Sequence, residues 1–129
     1  MEVLASRVLL NPTDFDRSFE FYNRTLGLHI FREWGRGATR GAAFFLGGGY
    51  LELSGRAPAP VDGNVGLWLQ VRDVDDEHER LAAAGVDVVE PPVDKPWGLR
   101  EARVRDPDGL LLVLVQVPDD HPLRRDTRG

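Results

Sequence analysis

Residues 6–27, SRVLLNPTDFDRSFEFYNRTLG, and residues 66–85, GLWLQVRDVDDEHERLAAAG, share one plan: an apolar run, an acidic cap, an apolar stripe at helical spacing and a closing glycine. In the first, Ser6–Asn11 reads as a strand and Asp14 or Thr13 as a helix cap. Phe15, Phe19, Tyr22 and Leu26 then form one helical face that Gly27 ends. In the second, Gly66–Val71 is the strand, Asp73 the cap, and Val74, His78, Leu81 and Ala82 the inward face, with Gly85 as the stop.

Three short apolar runs follow each helix. They are Leu28–Glu33, Ala42–Leu46 and Tyr50–Ser54, with Gly47-Gly48-Gly49 as a hairpin, and then Val86–Glu90, Arg100–Arg105 and Leu110–Gln116, with Asp106-Pro107-Asp108-Gly109 as a turn. Phe15 precedes Val74 by 59 residues, Gly27 precedes Gly85 by 58, and Gly48 precedes Gly109 by 61. So steady an offset predicts a repeat. The chain reads as an α+β protein of two βαβββ modules, residues 1–55 and 65–118. A linker of turn formers, 56–64, joins them, and a flexible basic tail, 119–129, follows.

One helix covers one face of each four-stranded sheet, and the uncovered faces are expected to curve around a trough. Strand alternation assigns to it Arg7 and Leu9, then Tyr50, Glu52 and Ser54, then Gly66, Trp68 and Gln70, then Leu111, Val113 and Val115. The rings of Trp34, Trp68 and Trp97, with Phe31, Phe44, Phe45 and Tyr50, lie near this trough or its rim. Alternation sends only one of Phe44 and Phe45 inward. Such rings can clamp a planar ligand, or serve as core.

Composition removes several classes of function. The 129 residues carry a net charge of −5; the last nine hold three Arg and one Asp, so residues 1–120 carry −7. An acidic body disfavours nucleic acid and is compatible with a cationic small molecule. Arg124, Arg125 and Arg128 read as a solvated terminus. With no cysteine, disulfides, thiolate metal sites and cysteine nucleophiles are excluded. No apolar stretch is long enough for a membrane span, and residues 1–11 show neither a basic start nor a cleavage-like region, so the cytoplasm is the expected compartment. His29, His78 and His121 suggest no common cluster. Ser6, Ser18 and Ser54 lack a nucleophile elbow, and Gly35–Gly41 lacks the strand-to-helix setting of a phosphate loop.

The order of Asp14–Tyr22, Leu26-Gly27, Val71–Asp75, Ala84-Gly85, Trp97-Gly98 and Asp106–Gly109 resembles the glyoxalase, bleomycin-resistance and extradiol-dioxygenase superfamily, the vicinal oxygen chelate proteins. The resemblance covers nearly the whole chain and implies the paired βαβββ fold. In the family's enzymes, His or Glu at four positions hold a divalent metal; the matching positions here are Arg7, Glu52, Gly66 and Val113. A guanidinium repels a cation, glycine has no side chain and valine has no lone pair, so Glu52 alone could ligate. Arg7 and Glu52 are expected either to pair or to offer polar handles to a ligand; otherwise Glu52 points into water at a sheet rim.

The resemblance is nearest in character to the metal-free bleomycin-resistance branch. It implies a homodimer, with Pro12 as a hinge for strand exchange, that sequesters a bulky aromatic antibiotic of bleomycin, mitomycin or enediyne type. No cofactor, metal or catalytic residue is expected. The ligand-contacting residues are expected to be Arg7, Leu9, Phe31, Trp34, Tyr50, Glu52, Trp68, Gln70, Trp97, Arg100 and Val113. The alternative is a metal-dependent lyase, isomerase or dioxygenase of the same fold that uses Glu52.

Overall fold

In the computed structural model, which describes residues 1–60 and 63–124, the chain divides into two units, Met1–Val61 and Asp62–Gly129. The first unit runs β1 (Arg7–Leu10), α1 (Phe15–Glu20), β2 (Ile30–Trp34), β3 (Gly41–Leu46) and β4 (Gly49–Leu53). Its strands lie in the order β1-β4-β3-β2, with β1 parallel to β4 and the other pairs antiparallel. The second unit repeats this with β5 (Gly66–Gln70), α2 (Val74–Ala83), β6 (Asp87–Asp94), β7 (Arg100–Arg105) and β8 (Leu111–Gln116), ordered β5-β8-β7-β6. Each is a four-stranded mixed sheet with a helix on one face, the α+β architecture that the sequence repeat predicts.

Both helices start where the acidic caps place them. Asp14 and Asp73 have extended backbone, and their carboxylates accept from the N–H groups of Arg17 and Asp76. Each thereby satisfies a donor that the first turn leaves unpaired. The first helix departs from the expected regular one: Phe21–Thr25 forms a π-helical turn, closed by the Leu26 N–H on the Phe21 carbonyl at 2.7 Å. The extra residue in that turn lets the neighbours Phe21 and Tyr22 both be buried, their rings edge-to-face at 5.0 Å. Phe19 and Tyr22 then rest on Phe44 of β3, which is wholly buried. The second core is Val74 and Leu81 of α2 over Ala102, Val104, Leu112 and Leu114.

Strand limits differ from the sequence expectation where irregularity intervenes. The first strand is Arg7–Leu10 rather than residues 6–11, and β2 runs on to Trp34 with a register shift between Ile30 and Arg32. The strand expected at Val86–Glu90 continues through Pro91 and Pro92 to Asp94. As the edge of its sheet β6 can carry prolines, whose missing N–H is not required by an outer neighbour. Val61 and Asp62 of the expected linker, and Arg125 and Arg128 of the expected tail, lie outside the described residues. Up to Arg124 the chain is turned and bonded: His121 and Arg124 donate backbone N–H groups to Pro118 and His121, and Arg124 Nη1 reaches the Val117 carbonyl at 2.7 Å. Pro12 is buried and accepts from the Ala57 N–H.

Candidate functional site

The strand registers arrange the uncovered face of the first sheet in rows. Arg7, Tyr50 and Phe45 are partners across β1, β4 and β3; Leu9, Glu52, Ala43 and Arg32 form the next row; Gly41 and Trp34 begin another. Because β2 bulges between Ile30 and Arg32, Phe31 turns onto this face beside Arg32. Its ring lies 4.6 Å from Tyr50 and 5.2 Å from Phe45, and Phe45 and Tyr50 are 5.9 Å apart. Phe31 and Phe45 are each nearly half exposed, so this trio is not core. Phe44, one residue from Phe45, is its buried opposite under α1.

Beside the rings sits a polar cluster. Arg7 Nη1 donates to Glu52 Oε1 at 2.8 Å, and the Ser54 hydroxyl donates to Glu52 Oε2 at 2.7 Å. The Arg7 hydrogen bond, with help from Ser54, holds the Glu52 carboxyl below the usual carboxylate range. The Arg7 guanidinium is also 5.7 Å from the Tyr50 ring centre. Of the readings open for Glu52, the structure shows the ion pair with Arg7. Farther along the face, Trp34 lies flat over Gly41, so close that a Cβ there would meet the indole at 2.5 Å, and Arg32 sits 5.5 Å from the Trp34 ring. Among the described residues Arg32 has no carboxylate within ion-pair range.

On the second sheet, Gly66, Trp68 and Gln70 of β5 pair with Leu111, Val113 and Val115 of β8, and Trp68 is half exposed. The far end of this face is closed by Leu99, Val115 and Val117, with Val113 packed on them. Trp97 folds back onto that end: its indole N–H donates to the buried carboxylate of Glu101 at 2.7 Å, and Arg103 approaches the same carboxylate at 3.5 Å. Trp97 is thus a partly exposed ring with a structural task, which the sequence did not indicate.

Arg100 is not brought to this face. It pairs with Gln116, on the side where α2 lies, and its guanidinium makes two hydrogen bonds to Asp75 of α2 (2.8 and 2.9 Å) and one to Asp94 (3.1 Å). The one-residue offset from Glu101 decides this, since alternate β7 residues face opposite ways. These partners take three of the arginine's five N–H groups and, through Asp75 first and then Asp94, raise its pKa further.

The metal positions that the resemblance implies do not suit a metal. Both oxygens of Glu52 already accept hydrogen bonds, one from a permanent cation. Arg7, Gly66 and Val113 supply no donor atom to an ion. Among the described residues no three His, Asp or Glu side chains gather as a metal site would need.

Residues 5–114 match the family model described as the Glyoxalase/Bleomycin resistance protein/Dioxygenase superfamily. The uncharacterized protein YraH of Bacillus subtilis (strain 168) is 32% identical over 131 residues, covering 91% of this chain and 99% of that protein. Among solved structures, TioX from Micromonospora sp. ML1 is 32% identical with a TM-score of 0.73, over 88% of this chain and 98% of its own. TnmS3, an antibiotic binding protein from Streptomyces sp. CB03234, is 27% identical with a TM-score of 0.75, over 91% and 98%.

Proposed function

The chain belongs to the glyoxalase/bleomycin resistance protein/dioxygenase superfamily, and from that membership we propose that it is a metal-free binding protein that sequesters a bulky aromatic natural-product antibiotic. The observation that carries this reading is the Arg7–Glu52–Ser54 cluster at the position where the family's enzymes keep a metal ligand, set beside the nearly half-exposed rings of Phe31 and Phe45 and the Tyr50 ring they pack on. An internal ion pair there gives shape and polar anchoring and no Lewis acid. The likeness to TnmS3 supports the same direction.

Sequestration works by stoichiometric retention, for which an apolar surface with a few fixed polar groups is suited. Trp34, Trp68 and Trp97 are the further rings, and Leu9, Gln70 and Val113 the further flanking groups, that this reading assigns to the ligand. It also assigns a cytoplasmic location and a homodimer, in which a second copy covers part of the exposed sheet faces.

The test is a fluorescence titration of the purified chain with bleomycin, mitomycin C and an enediyne, following tryptophan emission. Saturable quenching at one ligand per chain by at least one of them is expected, and no quenching by any refutes sequestration of these classes. Incubation with divalent metal followed by desalting separates the enzyme alternative, because stoichiometric retention of the ion contradicts the metal-free reading. Sedimentation velocity is expected to give twice the chain mass.

A further inference from the structure

The charge on the first sheet's uncovered face opposes the charge of the chain as a whole. The chain carries −5, yet the ionised strand residues of this face are two arginines, Arg7 and Arg32, against one carboxylate, Glu52. Each oxygen of that carboxylate already accepts one hydrogen bond, from Arg7 and from Ser54. Arg7 spends one N–H group on Glu52, is 40% exposed, and is fixed in place by that bond and by Tyr50. Arg32 is stacked on Trp34 and, among the described residues, has no carboxylate within ion-pair distance, although its charge reaches Glu52 from beyond that distance. The bulge puts Arg32 and Phe31 side by side on this face, with the guanidinium over Trp34 and the Phe31 ring on Tyr50. The second sheet differs: Lys95 pairs with Glu90 at 2.6 Å, and Arg103 lies between Glu90 and Glu101, so its charges are matched internally.

We infer that the first sheet's uncovered face takes an aromatic ligand bearing an ionised acidic group, a carboxylate or a phenolate, with its rings on Phe31, Phe45 and Tyr50 and its anion between Arg7 and Arg32. This rests on the binding-protein reading above and adds the charge of the ligand. It runs against the expectation from net charge, which favours a cation. The physical ground is local: a planar guanidinium with unspent donors matches a carboxylate's geometry, and distant surface acids are screened by salt.

The experiment is a calorimetric titration of the full chain with anthraquinone-2-carboxylate, anthraquinone-2-carboxamide and 2-(aminomethyl)anthraquinone. These probes keep one ring system and run from anion through neutral to cation. The carboxylate is expected to bind about tenfold more tightly than the amide, the effect of a hydrogen bond to a charged group, and the amine most weakly. Arg32→Gln and Arg7→Gln are each expected to collapse that preference. Arg24→Gln, which alters an exposed arginine of the π-helical turn, keeps it. Equal affinity for all three probes overturns the charge inference and leaves ring binding standing. No binding of any probe refutes ring binding on this face, and the inference with it. A preference that survives both Arg7→Gln and Arg32→Gln places anion recognition elsewhere and overturns the proposal.

Discussion

At the scale of single residues, Glu52 shows how a family position changes its chemistry. Its pKa is lowered chiefly by the Arg7 hydrogen bond and then by Ser54, so the folded protein binds that proton less readily than the unfolded chain does. The stabilisation is therefore fully present above the ordinary value of 4.5 and is lost as pH falls through the lower folded value. Urea midpoints should fall on acidification below that range, and Glu52→Gln should flatten part of the fall. Asp75 and Glu90, whose pKa values are also lowered by cations, act in the same direction, while Asp76, raised by Asp73, opposes it. Gly41→Ala forces a Cβ into the Trp34 indole, and chemical denaturation should show a loss of about 1–3 kcal/mol, the usual result of overpacking. Arg7, Tyr50 and Glu52 were legible because simple alternation along regular strands assigns them. Phe31 was legible only as a ring near the trough: its placement depends on a bulge, and one unpaired residue leaves no periodic mark in a short strand.

Among the elements, β7 is bounded by two turns of the same construction. Lys95-Pro96-Trp97-Gly98 and Asp106-Pro107-Asp108-Gly109 each close with the glycine N–H on the first residue's carbonyl, and that residue's N–H on the carbonyl after the glycine. Gly98 has φ +91° and Gly109 φ +87°, and proline presets the turn's second position. Alanine at either glycine should cost about 1–2 kcal/mol in denaturant unfolding, the penalty for a side chain in the left-handed region. The Asp106 turn is legible in the sequence because aspartate, proline and glycine are strong local signals. Asp106 adds to it by accepting from the N–H groups of Asp108 and Leu110. The matching turn at Lys95 carries the same proline and glycine signal in Pro96 and Gly98 but lacks the aspartate that opens the other. The π-helical turn was also not legible, since Phe15, Phe19, Tyr22 and Leu26 fit a regular helix equally well.

For the whole molecule, the duplicated order of elements was the most legible feature, because it rests on many weak signals in a fixed sequence and tolerates errors of a residue or two at each boundary. Arg100 marks the limit of that reasoning, since one residue along β7 separates a helix-side ion pair from the uncovered face. Trp68 is half exposed on β5 and is one of the rings proposed above to contact the ligand. Trp68→Ala should weaken binding of the quenching antibiotic by about 1–3 kcal/mol, the range for an aromatic anchor, with the thermal unfolding midpoint little changed. In both units the first strand joins the last by parallel pairing: Arg7 meets Tyr50, and Gly66 meets Leu111, across 43 and 45 residues. Hairpins zip quickly from their turns, whereas such distant strands must first lose the freedom of the chain between them. Each meander should accordingly assemble ahead of its leading strand, and in native-state hydrogen exchange the amides of β1 and β5 should open before those of β3 and β7, so that the leading edges are the doors through which each half unfolds.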